Sequence, residues 1–207
     1  MPRLLASIYD RFMKKTEEAS LQEWRADLLS HAKGDVLEVG VGTGINLPFY
    51  ANRPGISSLT LAEPDLHMRK RAEARATLLR REDVKLIDAP VENLPFADAS
   101  FDTVVATLLL CSVKDPALAL ASIRRLLRPG GQFLFLEHVA AEENPGRLLW
   151  QKRIEPFWKI IGDNCHLTRQ TLLSIKSAGF SVETVNSASM RKALPFLRPT
   201  VRGIATI

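Results

Sequence analysis

Cysteine is scarce: the 207-residue chain has two, Cys111 and Cys165, far apart and in no paired pattern. A disulfide scaffold is therefore excluded, and a reducing compartment is expected, by default the cytoplasm. Long apolar runs are missing too. The longest, VVATLLLCSV, is about half of what crosses a bilayer. A secretory pattern is also absent, because Asp10, Arg11, Lys14 and Lys15 interrupt any apolar core near the start. No repeat, linker or low-complexity stretch divides the chain, so one domain over 1–207 is expected.

Charge is present but dispersed. The net charge is +5 and the pI about 9.4. Arg69, Lys70 and Arg71, Arg80 and Arg81, and Arg124, Arg125 and Arg128 are interleaved with acids. Such spreading reads as a solvated surface, with some attraction to an anionic membrane or an acidic substrate. Peripheral membrane contact is compatible with this charge; a nucleic-acid partner or an obligate protein partner is not expected.

Short apolar runs alternate with helical patterns. DVLEVGV (35–41), SLTLAEP (58–64), VKLIDA (84–89), FDTVVATLLL (101–110) and GQFLFLEHV (131–139) are continuous rather than alternating, as in strands covered on both faces. Helices are predicted over Leu66–Arg80 and Pro116–Leu127, the second stopped by RPGG, and over Thr168–Ala178 with Thr168 as its cap. FSVETVN and VRGIATI then read as a closing strand pair. This order predicts an α/β fold with a mostly parallel, doubly wound sheet and a C-terminal antiparallel pair. Residues 1–33 would form a helical lid, 34–140 the ligand-binding core and 141–207 the remaining helices and strands.

The most informative stretch is VLEVGVGTGIN (36–46). Gly40, Gly42 and Gly44 directly follow a buried strand, so backbone can approach a ligand where side chains would block it. A dinucleotide fingerprint needs a third glycine where Ile45 stands. The pattern is instead GxGxG, preceded by Glu38.

This motif resembles the first motif of class I S-adenosylmethionine-dependent methyltransferases, which have a Rossmann-like fold. The resemblance implies S-adenosyl-L-methionine as cofactor and S-adenosyl-L-homocysteine as product. It implies that Gly40, Val41, Gly42, Gly44 and Asn46 accommodate the methionine end. Glu38 would contact the cofactor's ammonium group or orient the loop, and Tyr9 on the lid would lie near the carboxylate. Glu63, before Pro64, would take the ribose hydroxyls, since paired hydroxyls need two acceptor oxygens in one plane. Asp88, Pro90 and Val91 fall in the family's adenine-binding stretch, although Pro90 stands where relatives often have an acid. Asp102 reads as a loop-shaping residue. By the same resemblance, Thr107 and Leu108 would close the cofactor site.

At the end of the fourth strand, relatives that methylate nucleobases carry an Asp/Asn-Pro-Pro-aromatic motif. Here TLLLC (107–111) is apolar instead, which argues against a nucleobase acceptor. The stretches LLLCSVKD, LLRPGGQFLFLEHVAAE, EPFWKIIGDNCHLTRQT and LRPTVRGIATI resemble the methyltransferase-like thiol S-methyltransferases of animals. That resemblance implies a small thiol acceptor, with Cys111, Trp150, Trp158, Cys165 and Arg169 on the substrate side. Features shared with bacterial phospholipid methyltransferases keep a lipid amine or quinone-type ring open as acceptor. A cofactor-binding module without turnover is a third reading.

His138 and His166 are the candidate proton acceptors, because imidazole titrates near neutrality. Each also reads as a structural histidine. Cys111 reads equally as a small buried hydrophobe, and Trp150, Phe157 and Trp158 as core or as a lid over an apolar acceptor. No metal is expected at IGDNCHLTRQ: adjacent Cys165 and His166 would crowd one ion, and the sequence displays no second ligand pair.

Overall fold

The computed structural model describes residues 3–79 and 83–207, with residues 3–9 described by their backbone alone. Each continuous apolar run becomes a strand: β1 (Gly34–Val39), β2 (Ile56–Ala62), β3 (Val84–Ile87), β4 (Phe101–Thr107) and β5 (Leu127–His138). Together with β6 (Ser181–Ser189) and β7 (Pro199–Thr206) they form a seven-stranded sheet in the order β3-β2-β1-β4-β5-β7-β6. The first five strands pair in parallel, and β7 inserts antiparallel between β5 and β6. Strand order reverses between β1 and β4, where an open α/β sheet leaves a crevice for ligands.

Alternate residues of each strand enter two separate cores, which is why the runs are apolar throughout. Leu37, Val39, Val104, Phe133 and Phe135 pack on one face with Leu120 and Ile123 of α4 (Pro116–Leu126). Val36, Val105, Leu134 and Leu136 pack on the other with Leu28 and Leu29 of α2 (Gln22–Leu29). Truncating any of these leucines to alanine removes about 2–5 kcal/mol.

Helix starts follow local chemistry. Asp65 accepts the N–H groups of His67 and Met68 to start α3 (Leu66–Ala76). Asp115 does the same for Ala117 and Leu118 ahead of α4, where Pro116 needs no partner for a missing N–H. α1 (Arg3–Thr16) passes through a π-helical turn at Glu17–Leu21 into α2. α5 (Pro145–Ile161) and α6 (Thr171–Ser177) follow β5.

Several boundaries differ from expectation. β4 stops at Thr107 because Leu108 adopts a φ of 54°, which breaks the ladder. β5 starts at Leu127, so RPGG lies inside a strand, and its pairing shifts between Phe101 and Thr103. α3 gives way to a 3-10 turn at Thr77–Leu79, and Arg80 lies outside the described residues. Thr168 is not the α6 cap: Glu155 takes both its N–H (2.8 Å) and its hydroxyl (2.7 Å), and the helix starts after Gln170. Asp102 is a strand residue rather than a loop-shaping one: inside β4, it accepts the Asp35 N–H of β1 (2.8 Å) and pairs with Arg128 of β5 (2.6 Å). Among the described residues, no helix is long and apolar enough to cross a membrane.

Candidate active site

The loop after β1 turns through three glycines with φ of 65°, 58° and 83° at Gly40, Gly42 and Gly44. They serve different ends. A Cβ on Gly40 would meet Leu109 Cδ1 at 2.5 Å, and one on Gly44 would meet Leu47 at 2.7 Å, so both positions are closed by packing. A Cβ on Gly42 would meet nothing within 4 Å. Gly42 is the point at which this loop presents bare backbone to open space.

Glu63, at the carboxyl end of β2, reaches that loop. Its Oε2 accepts the Gly42 N–H at 2.8 Å, and its Oε1 accepts the Asp65 N–H at 2.9 Å. Burial pushes its pKa up, and the two backbone donors pull against that shift. An ionised carboxylate has further lone pairs for two neighbouring hydroxyls. Arg69 holds the carbonyls of Glu63 and Pro64 and pairs with Asp88 at 2.7 Å, bringing the ends of β2 and β3 together. Pro90 and the Asp88 side chain are exposed, whereas the Val91 side chain is in the core.

Beneath the glycine loop lies a buried polar network that the sequence did not reveal as a unit. Asn46 donates to Glu38 Oε1 (2.9 Å) and to the Thr107 hydroxyl (3.0 Å). Arg25 of α2 donates to Asn46 (2.9 Å) and Thr107 (2.8 Å) and forks onto Glu17. Glu38 is 1% exposed, and burial raises its pKa to about 7 against hydrogen bonds from Tyr50 and Asn46 and the charge of Arg25. Val41 packs above this network in the same core as Leu47 and Tyr50.

The N-terminal helix is latched onto the loop. Asp10 accepts the Thr43 hydroxyl at 2.7 Å and pairs with Arg75 of α3 at 2.5 Å, while Arg75 also donates to the Thr43 carbonyl at 2.9 Å. The Tyr9 side chain lies outside the described residues.

The other end of the crevice is built by Glu137, the penultimate residue of β5. Its fully buried carboxylate accepts the N–H groups of Leu109 (3.0 Å), Leu110 (2.9 Å) and Cys111 (3.2 Å). Burial lifts its pKa to about 7 in spite of these donors. The loop between α5 and α6 clasps the same turn from outside. The His166 N–H reaches the Cys111 carbonyl (2.8 Å), Asn164 reaches the Ser112 carbonyl (2.7 Å), and Arg169 donates to the carbonyls of Leu110 and Val113. The His166 contact is made by its main chain alone; its ring sits 3.6 Å from Glu155. Burial and the nearby Arg169 lower the His166 pKa, with Glu155 opposing.

This clasp sends the two members of the Cys–His pair in different directions. Cys165 turns inward and joins Cys111 and His138, so that the two sulfurs and an imidazole nitrogen all lie within 4.8 Å of one another. His138 is 2% exposed, and neither ring nitrogen has a geometrically sound hydrogen-bond partner among the described residues. The Cys165 thiol is pulled down to about 4, first by the Cys111 thiol and then by the neighbouring His138 and Trp158 rings, against its burial. Cys111 is pushed up by the same pairing and by burial. Trp158 leans edge-on against Phe196 at 5.2 Å, whereas Trp150 points to solvent. Fully buried Gln151 ties α5 to Ala141 and Val139 of the loop after β5 and to the Phe196 carbonyl ahead of β7.

Sequence reasoning missed Arg25, Asp10, Glu137 and Gln151. Glu137 carried a signal: an acid inside an otherwise apolar buried strand needs donors, and LEHV placed it beside His138. Arg25 and Asp10 carried none, because their partners are distant in the chain.

Residues 37–135 match the family described as "Methyltransferase domain". Thiol S-methyltransferase TMT1B of Rattus norvegicus is 39% identical over 192 residues, covering 87% of this chain and 75% of that protein. Thiol S-methyltransferase TMT1A of Homo sapiens is 37% identical over 177 residues, covering 84% of this chain and 70% of that protein. A SAM-dependent methyltransferase from Thermotoga maritima shares the fold, with a TM-score of 0.73 at 22% identity over 99% of this chain and 96% of its own. The open backbone at Gly42 and the Glu63 carboxylate beside it suit the cofactor of such enzymes, S-adenosyl-L-methionine. The chain belongs to the S-adenosylmethionine-dependent methyltransferases, in the family that includes thiol S-methyltransferases TMT1A and TMT1B.

Proposed function

We propose that the protein transfers the methyl group of S-adenosyl-L-methionine to the sulfur of a small apolar thiol. The observation that carries this reading is the apolar turn at Leu108–Cys111, clasped by Glu137 and Arg169 at the carboxyl ends of β4 and β5. Nothing in that turn offers the planar polar grip that a nucleobase amine needs. The relatives named as thiol S-methyltransferases support the same reading.

On this reading the thiol first loses its proton to water. The thiolate sulfur then forms a bond to the methyl carbon in line with the bond that breaks, and that electron pair stays on the cofactor sulfur. The products are a methyl thioether and S-adenosyl-L-homocysteine. Alignment supplies much of the rate, and a thiol of ordinary pKa near 8.5 is already partly ionised at neutral pH. Gly42 and Glu63 hold the donor, the buried Arg25–Asn46–Glu38 network keeps their loop in place, and the half-buried Arg169 places positive charge at the acceptor end.

The deciding assay offers labelled cofactor with alkyl thiols, sulfide, phosphatidylethanolamine vesicles and quinols. Label on an alkyl thiol at least tenfold above the other acceptors is the expected result. Label appearing only in lipid or quinol would overturn the thiol reading, and no label in any acceptor would favour a binding module without turnover.

A specific feature also supports peripheral contact with a membrane. Leu149, Trp150, Phe157, Ile160 and Ile161 project from one side of α5 at 100° per residue, and Phe157 and Ile160 are 71% and 83% exposed. Arg147, Lys152 and Lys159 flank that side, and exposed Arg153 lies within it. Apolar residues bordered by cations suit an anionic bilayer surface. Co-flotation with anionic but not neutral vesicles, abolished by Phe157→Ser/Ile160→Ser, is expected; flotation unchanged by that variant would remove α5 as the contact.

A further inference from the structure

We infer that Cys111, His138 and Cys165 form a site for a zinc-type divalent cation, with a fourth coordination position left for a small thiolate. The last part rests on the thiol reading above; the metal site itself does not.

The ligand atoms already lie within 4.8 Å of one another. A tetrahedral zinc with sulfur at about 2.3 Å and imidazole nitrogen at about 2.0 Å spaces its ligands by roughly 3.5–3.8 Å. Closing the site thus takes side-chain movement on the order of 1 Å. The ligands come from three elements that are fixed independently. Glu137 holds the Cys111 backbone, β7 holds His138 through its pairing with Thr200, and the Cys165 N–H bonds the Gly162 carbonyl at 3.1 Å.

His138 supplies an independent observation. A buried imidazole with no nitrogen or oxygen partner among the described residues on either ring nitrogen, and only the Cys165 thiol as a weak one, is destabilising unless something takes a lone pair. Its ring stands against two sulfurs, and a metal is the partner they share. Charge is consistent with this. Two thiolates neutralise a dication, and the Arg169 guanidinium lies near enough to Cys111 and Cys165 to offset the charge that a bound thiolate adds.

The donor set narrows the metal. Calcium and magnesium take oxygen ligands, and the common iron–sulfur clusters take four protein ligands, whereas two cysteines, one histidine and an open position are a set used for catalytic zinc. The fold also resolves the crowding at Cys165 and His166. Cys165 alone turns to the cluster, and the His166 ring goes to Glu155.

The test is titration of the full chain, reduced and stripped by chelation, with cobalt(II) and then zinc(II). One equivalent of cobalt should give thiolate-to-metal absorption in the near ultraviolet and tetrahedral bands in the visible, lost when one equivalent of zinc is added. Cys111→Ser, His138→Ala and Cys165→Ser should each weaken zinc binding by about 100-fold or more, and His166→Ala should leave it unchanged. No thiolate band in the wild-type chain overturns the site, as does zinc affinity that survives Cys165→Ser. So does an intact mass showing Cys111 and Cys165 joined as a disulfide under the same reducing conditions. Calorimetry with S-adenosyl-L-methionine separates the readings. Cofactor binding and thiol methylation in a chain that takes no metal would sink the metal site alone. Stoichiometric zinc without thiol methylation would sink the thiol reading alone.

Discussion

Glu63 and Gly42 are joined across the crevice: the carboxylate of one accepts the backbone N–H of the other at 2.8 Å. The carboxylate proposed to take the cofactor ribose therefore also fixes the turn proposed to take its methionine end. Glu63→Ala should weaken S-adenosyl-L-methionine binding by roughly 1–3 kcal/mol in calorimetry, through lost acceptor bonds and a loosened turn. An affinity equal to wild type would remove Glu63 from the cofactor site.

Gly40 and Gly42 should part company under substitution. Gly42→Arg puts a side chain into open space at a φ of 58°, so the fold should survive a backbone strain of about 1 kcal/mol while cofactor binding disappears. Gly40→Ala drives a methyl to within 2.5 Å of Leu109 Cδ1, so melting temperature should fall. Thermal melts and calorimetry on both variants check the contrast, which fails if Gly42→Arg is the one that unfolds.

The latch of Asp10, Thr43 and Arg75 bears on cofactor release. Arg75→Ala removes donors to Asp10 and to both Thr43 oxygens. Cofactor dissociation measured by stopped flow should speed up several-fold, on the order of the loss of one partly exposed ion pair. Added salt should accelerate wild-type release and leave the variant nearly unaffected.

Glu38 predicts a pH dependence of stability. Burial raises its folded pKa to about 7 from 4.5, so between those values the native state binds a proton that the unfolded chain has released. Its contribution is whole below pH 4.5 and fades as pH rises to about 7. Relative to Glu38→Gln, which carries no titrating proton, wild type should lose on the order of 2–3 kcal/mol across that window in denaturant melts of the cofactor-free chain. A constant difference between the two proteins from pH 4.5 to 7 would contradict this.

What the sequence made legible was what is local. The glycine turn, the acid ending β2 and the capped starts of α3 and α4 depend on neighbours within a few residues, so their residue types announce them. Strand runs were legible because both faces are covered. The Arg25 network was not, since Arg25 reaches Thr107 across 82 positions and nothing near either residue marks the other. A separation of 54 positions likewise hid the meeting of Cys111 with Cys165. Thr168 misled for a related reason: its hydroxyl matches a helix cap in type, but Glu155 outcompetes the helix for it.

The late position of β7 in the chain has a consequence for how the protein is made. β7 pairs Val201 with Glu137 and Thr200 with His138, and it fills the place between β5 and β6. During vectorial synthesis, β1 to β5 leave the ribosome with the donor half of the crevice complete. The strand that steadies Glu137 and His138 leaves after the other six. A nascent chain paused before Pro199 would thus carry a finished cofactor turn and an unfinished acceptor end.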